Sequence, residues 1–500
     1  MARASAALAL AAAVAAGVLL VSGGSPSDPR TPAALPGMPP PFLGTAVAGS
    51  GGLTAAIDPY GDVADLRPSP AGRPLIDNPA ARQAAGTVPP GTGIVPRLVL
   101  PGGRRLPFWR ADAVAQRYRP GTNVVVTTAR FRRLRATVVY AAADGRLACL
   151  TRVGSAAVVL DSESGPVAAR LRCDGADARA TVRAATRADR GWLAASAPLG
   201  PSAPPWASAM YARSLLTLRA LTDLRSGAVA AGARDGWAYV WPRDAAAAAL
   251  AFAAAGHRSE ARRVAGFLRQ LDLGAAARFH GDRSPVAGRG PQGDARGWVA
   301  VASRAAGLAA PAGGPGWRDR PDDQEKAPGD FLGNWLSADA TAARRPRTAS
   351  GFTTAAGLVR VAGDPASGAD SAAAWAVRPF TQPRLFGPAR ASLRHLLAAS
   401  GRFGIGPSAD WPGTDPWTAP TAWSAWAFAA LARHDRGAGL AGADRRAALT
   451  LLADLRRAAT PAGTLPERVD ARTGVPRSTT PLAWSHAFAV LALRELWPTP

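Results

Sequence analysis

Five hundred residues exceed one ordinary domain and predict two, with ample interior for a large core. The chain is 48% apolar but only 7% aromatic, and its formal charge of +24 comes almost wholly from arginine, with Lys326 the only lysine. The basic runs Arg130 to Arg135 and Arg344 to Arg347 are short and carry no nucleic-acid fold signature, so they read as solvated faces and argue against a nucleic-acid partner.

In chain order, residues 1–25 carry Arg3, an alanine- and leucine-rich run from Ala6 to Val21, and small residues after it. That pattern predicts a secretory signal or an N-terminal anchor, hence a secreted or envelope-associated protein that meets a membrane only through an uncleaved N-terminal segment. Residues 26–42 are rich in proline, glycine and serine and read as a tether. From 43 to 198 the pattern becomes short β-branched runs broken by turn residues, among them Asn123–Thr128, Ala136–Tyr140 and Ala156–Leu160. This predicts an antiparallel β-sandwich. Both cysteines, Cys149 and Cys173, fall within it and are candidates for one disulfide. Residues 199–205 read as a linker.

From 206 to 500 the period is helical, starting with Tyr211, Leu215, Leu218 and Leu221 on one face. Further helices are expected over Pro242–Ala255, Ser259–Leu271, Asp294–Leu308, Phe352–Val361, Ala389–Ser400, Pro420–His434, Ala443–Thr460 and Pro481–Leu496. The helical signal fails from Ala309 to Ser350, which reads as a long excursion. This predicts an all-α second domain, with the unusual polar residues in the loops between its helices.

The densest chemistry is Trp237-Ala238-Tyr239-Val240-Trp241-Pro242-Arg243-Asp244. Pro242 suits the first turn of a helix, so Arg243 and Asp244 would face whatever lies beyond the helix end. Flat apolar rings beside a charged fork suit a sugar, whose faces are C–H and whose rim is hydroxyl. The same residues also fit core tryptophans with a capping ion pair. Glu467, in the loop before the last helix, is a candidate general base on water, or else a solvated glutamate paired with Arg468. Asp294 reads as an N-cap, with Gln292 and Trp298 as candidate ligand contacts. Asp415-Pro416-Trp417 reads as the lip of a cleft or a turn, and His486 as a satisfied helix-face histidine. The sequence carries no metal-spaced His/Cys cluster and no phosphate loop, so neither a metal nor a cofactor is expected.

Taken together, Trp241-Pro242-Arg243-Asp244, Pro291-Gln292-Gly293-Asp294, Leu465-Pro466-Glu467 and Pro481-Leu482-Ala483-Trp484-Ser485-His486 resemble glycoside hydrolase family 15, the glucoamylase-type enzymes. The resemblance implies a two-domain α + β chain, with an N-terminal antiparallel β-sandwich followed by an (α/α)6 barrel. It further implies an oligosaccharide or α-glucoside substrate, Arg243 and Asp244 as the clasp on the terminal glucose with Trp241 beside them, and Glu467 as general base. Inversion needs a second carboxyl as acid, roughly 6.5–9.5 Å from the base. The family carries it as a glutamate after a tryptophan, but here Asn334-Trp335-Leu336-Ser337-Ala338-Asp339 has no Trp-Glu pair, leaving Asp339, Asp330 and Glu325 as the carboxylates nearby. Two functions follow: an inverting hydrolase acting at non-reducing ends, or an impaired relative that binds carbohydrate.

Overall fold

The computed structural model describes residues 44–77, 93–153, 157–162, 170–310, 331–338, 349–435 and 439–499. The expected signal, the tether, and Asp339, Asp330 and Glu325 lie outside them. Strands come first: β1 (Ala46–Gly49), β2 (Thr54–Ile57), β3 (Val63–Arg67), β4 (Ile76–Asp77), β5 (Ile94–Val99), β6 (Arg105–Pro107), β7 (Ala113–Tyr118), β8 (Val125–Phe131), β9 (Leu134–Ala143), β10 (Arg146–Arg152), β11 (Ala157–Ser162) and β12 (Leu171–Cys173). One sheet is ordered β1-β2-β3-β5-β11, with β4 on β3 and β6 on β5, and the other β12-β10-β9-β8-β7. Pairing is antiparallel except between β10 and β12, where Cys149 lies opposite Cys173 and the two are bonded across a Cα separation of 4.5 Å.

Period-2 alternation sorts the side chains between two faces of each sheet. Val125, Ala129 and Phe131 of β8 join Ala46, Ala55 and Ile57 of the first sheet in a shared core. Val124, Val126, Val139 and Ala141 face the other way and pack on Ala178, Val182 and Ala185. Those three residues belong to helix α1 (Gly175–Ala194), which lies in the span 43–198 read as all strand. Their 4- and 3-residue spacing is helical, but arginines and small residues between them dilute the pattern.

The first sheet is also covered on its second face, because Val47 and Ala56 belong to the core of the helical region. Polar contacts reinforce this seam. The Asn123 amide donates to Leu216 O at 2.8 Å, and Arg219 pairs with buried Asp189 at 2.9 Å. Residues 199–205 are held too, with Gly200 N–H donating to Trp497 O at 2.9 Å.

The helices that follow are α2 (Pro205–Ala220), α3 (Pro242–Ala254), α4 (Arg258–Leu268), α5 (Ala295–Ala305), α6 (Leu332–Ala338), α7 (Phe386–Ala398), α8 (Thr418–His434), α9 (Leu440–Ala458) and α10 (Ala483–Leu496). Helices α3, α8 and α10 are buried on nearly every side and are mostly apolar between their terminal turns, as suits an interior helix. Packing runs from α3 to α5, to α6, to the 3-10 turn at residues 371–376, to α8, to α10 and back to α3, closing a ring. Helices α4 and α9 back onto α3 and α8.

One expected helix is wrong. Phe352–Val361 forms most of a small sheet instead, β13 (Thr353–Thr354), β14 (Gly357–Val361) and β15 (Asp364–Ala369). Thr353, Thr354, Val359 and Val361 are β-branched and favour the pleated form. At Gly357, with φ +125°, an added Cβ would sit 2.5 Å from Ser392 Oγ, so only glycine lets this strand lie on α7.

Candidate active site

The inner elements start at a common end, and their first residues line one cavity of about 200 Å³. Arg243 comes from the first turn of α3, Asp294 from the N-cap of α5, Asn334 from α6, Ser371 and Trp375 from the 371–376 turn, Trp417 from the N-cap of α8, and Leu482 and Trp484 from the start of α10. Glu467 joins them from the loop between α9 and α10.

That loop is clamped at each step. The Leu465 N–H donates to His486 Nε2 at 3.0 Å, and His486 Nδ1 meets Ser214 Oγ at 2.9 Å. A ring nitrogen that accepts must be deprotonated, and burial depresses His486 to about 3, so it stays neutral and acts as a fixed strut. Glu467 N–H donates to Thr479 O at 2.9 Å, and Thr418 N–H donates to Glu467 O at 3.0 Å. The Glu467 carboxylate accepts from Trp237 Nε1 at 3.3 Å through one oxygen and from the Ser478 hydroxyl through the other. Burial raises its pKa, opposed by these two hydrogen bonds and by Arg468 and Arg289. Arg468 itself pairs with Asp415 at 3.2 Å, so the expected alternative of a glutamate paired with Arg468 gives way to a glutamate held by neutral donors.

Arg243 pairs with Asp294 at 2.6 Å, and its guanidinium lies 4.4 Å from the centre of the Trp484 ring. Asp294 sits at an N-cap position as expected, yet its side chain does not cap the helix and turns to Arg243 instead. Asp244 is buried and is not on the cavity wall. Burial pushes its carboxyl up to about 7, with Glu467 and Asp294 adding and Arg243 opposing. Trp417 lines the cavity, edge-on to Trp411 with ring centres 5.3 Å apart.

Other candidates lie elsewhere. Trp298 is fully buried and packs edge-on against Trp375 at 5.1 Å, so it belongs to the core and not among the ligand contacts. Gln292 is buried off the wall, and Trp241 packs with Ala231 and Ala277, with Arg289 5.2 Å from its ring centre. The cavity also draws on residues the sequence did not single out: Asn334, Arg360, Asp370 and Trp375 on its wall, and Ser478 behind Glu467. Asp370 lies nine residues past the misread 352–361 segment, with Asp364 in between, and no motif in the sequence marks it.

The wall carries unused donors. The indole N–H groups of Trp375, Trp417 and Trp484 and the amide nitrogen of Asn334 are buried without a hydrogen-bond partner among the described residues. Close packing holds these groups in place: a Cβ on Gly333 would meet the Trp375 ring at 2.7 Å. Unpaired buried donors cost stability, and a ligand rich in hydroxyls would satisfy them. Among the described residues no three His, Cys, Asp or Glu side chains form a metal set, and no helix is long and apolar enough to cross a membrane.

No family model and no curated protein sequence matches the chain. Among solved structures, a glucoamylase from Saccharomycopsis fibuligera (TM-score 0.41, 14% identity) covers 54% of this chain and 89% of its own. A glycoside hydrolase family 15 glucoamylase from Hypocrea jecorina (TM-score 0.41, 15% identity) covers 57% and 70%. A bacterial glucoamylase in complex with acarbose matches over 95% of this chain and 96% of its own, with TM-score 0.64 at 11% identity. The sandwich and the helical region together are thus similar in fold, almost from end to end, to a bacterial glucoamylase.

Proposed function

We propose that this chain is an exported family 15 glycoside hydrolase with an (α/α)6 catalytic domain, which removes the terminal sugar from the non-reducing end of an α-linked glucan or glucoside with inversion. The observation that carries the reading is the setting of Glu467. Its carboxylate is held by Trp237 and Ser478 at the edge of a cavity that also presents Arg243 and unused indole donors. Hydrogen bonds to both oxygens favour the ionised form that a base needs, and they fix its direction toward a water. Arg243 and the indole N–H groups bind the hydroxyl rim, and the tryptophan faces cover the C–H faces. A volume of about 200 Å³ is below the ~300–1,000 Å³ of most small-molecule sites, which suits one ring entering from a chain end. The acarbose complex of the bacterial glucoamylase supports an oligosaccharide as ligand.

A second reading, a carbohydrate-binding relative with impaired chemistry, is favoured by one observation. Leu336, which follows Trp335 where an acid was expected, is a fully buried core residue. The test is incubation of the purified protein with maltose, maltotriose, isomaltose and trehalose. Sugar released by wild type and not by Glu467→Gln supports hydrolysis. Binding of oligosaccharide that is lost in Arg243→Ala, with no release by wild type, makes it a binding protein.

A further inference from the structure

We infer that Asp370 is the general acid of this site, a role that rests on the hydrolase reading above. Three carboxylates line the cavity among the described residues: Glu467, Asp294 and Asp370. Glu467 is held as the base. Asp294 is closed off by Arg243 at 2.6 Å, and an acid locked in an ion pair has no proton to give. Asp370 differs from both. It opens the 3-10 turn at residues 371–376, and its Oδ1 accepts from Ala372 N–H at 2.6 Å, which fixes the carboxyl. Among the described residues its Oδ2 is approached by Arg360 Nε at 3.8 Å, too long for a hydrogen bond. Arg360 is turned to Asp410 instead, at 2.9 Å. The neighbouring Ser371 carbonyl is tied to Trp423 Nε1 at 2.9 Å, and Ser371 N–H to Pro407 O at 2.9 Å, so the turn is anchored to the cavity wall. One oxygen is therefore held by the backbone, while the other makes no hydrogen bond among the described residues and sits on the cavity wall.

Electrostatics agree with this geometry. Burial pushes Asp370 up to about 6, with Asp410 adding, against the Ala372 N–H and Arg360. The charged groups around it are Arg360 on β14, Asp410 in the loop that pairs through Ser408, and Arg243, Asp294 and Glu467 on the cavity wall.

The step balances. Asp370 gives its proton to the glycosidic oxygen as the bond from that oxygen to the anomeric carbon breaks. Water adds to the opposite face of that carbon and passes its proton to Glu467. The products are the free sugar with inverted configuration and the shortened chain or aglycone alcohol, and solvent exchange moves the proton back from Glu467 to Asp370.

The experiment compares wild type, Asp370→Asn, Asp370→Glu and Glu467→Gln on maltose, whose leaving group needs a proton, and on α-glucosyl fluoride, whose leaving group does not. Asp370→Asn is expected to lose about 10²–10⁴-fold in kcat/KM on maltose and less than about tenfold on the fluoride. Its alkaline limb near pH 6 should disappear, and Asp370→Glu should retain that limb. Equal losses on both substrates, or wild-type turnover of maltose by Asp370→Asn, reduce Asp370 to the cap of its turn and overturn the assignment while the hydrolase reading stands. Failure of wild type on both substrates sinks that reading, and the acid role with it.

Discussion

Among the described residues, one group of buried carboxylates lies in the sandwich and another beside the cavity, and burial raises pKa values in both. In the sandwich, Asp58 and Asp62 close the turn between β2 and β3, where burial lifts both, and Asp58 adds to the rise at Asp62. Asp58 Oδ1 accepts from the N–H of Tyr60 at 2.9 Å and of Asp62 at 2.8 Å, and the residues around it are core. Beside the cavity, Asp244 and Glu467 are raised in the same way, but there the wall carries open space and donors without partners. A shifted carboxyl therefore does not by itself mark a site. What separates the two groups is whether a neighbouring volume can hold a reactant.

That contrast can be broken or sharpened by substitution. The largest effect is expected from Glu467→Gln, which keeps the shape but removes the base, and should reduce sugar release by about 10²–10⁴-fold with no loss of melting temperature. Next is Arg243→Ala, which removes the guanidinium paired with buried Asp294. Losing one partner of a buried pair costs about 3–5 kcal/mol, so denaturant unfolding should show that loss together with weaker oligosaccharide binding.

His486→Ala should be smaller. It leaves the Leu465 N–H unpaired and frees the base loop, for about 1–3 kcal/mol by thermal unfolding, with a fall in kcat larger than any change in KM.

The smallest effect on turnover is expected from Asp58→Asn, which should leave sugar release unchanged. Its readout is stability against pH. A carboxyl raised in the folded state contributes stability at low pH and loses it as pH climbs from about 4, where an unfolded aspartate titrates, through about 7. The variant should therefore gain melting temperature relative to wild type across that window. A large loss of turnover in Asp58→Asn would mean that the sandwich carboxylates act on the cavity, and the contrast would collapse.

Local pattern carried much of this. Pro242 at the start of α3 forced Arg243 to the mouth of a helix, and the β-branched runs of β8, β9 and β11 could hardly form anything else. It failed where local signals conflicted: α1 hides its apolar stripe among arginines, and the glycines and threonines of β13 and β14 were outvoted by neighbouring helical stretches.

The sequence by itself determined the two kinds of architecture, the position of Arg243 at a helix start, and Glu467 as a loop carboxylate before the last helix, because each depends on residues a few places apart. Only the tertiary structure decided that Trp298 is core while Trp417 lines the cavity, that Arg468 turns to Asp415 and leaves Glu467 to Trp237 and Ser478, and that Asp370 reaches the same space. Those facts depend on helix starts separated by more than two hundred residues meeting at one end of a packed ring, and no spacing along the chain encodes which side chains face the gap they leave.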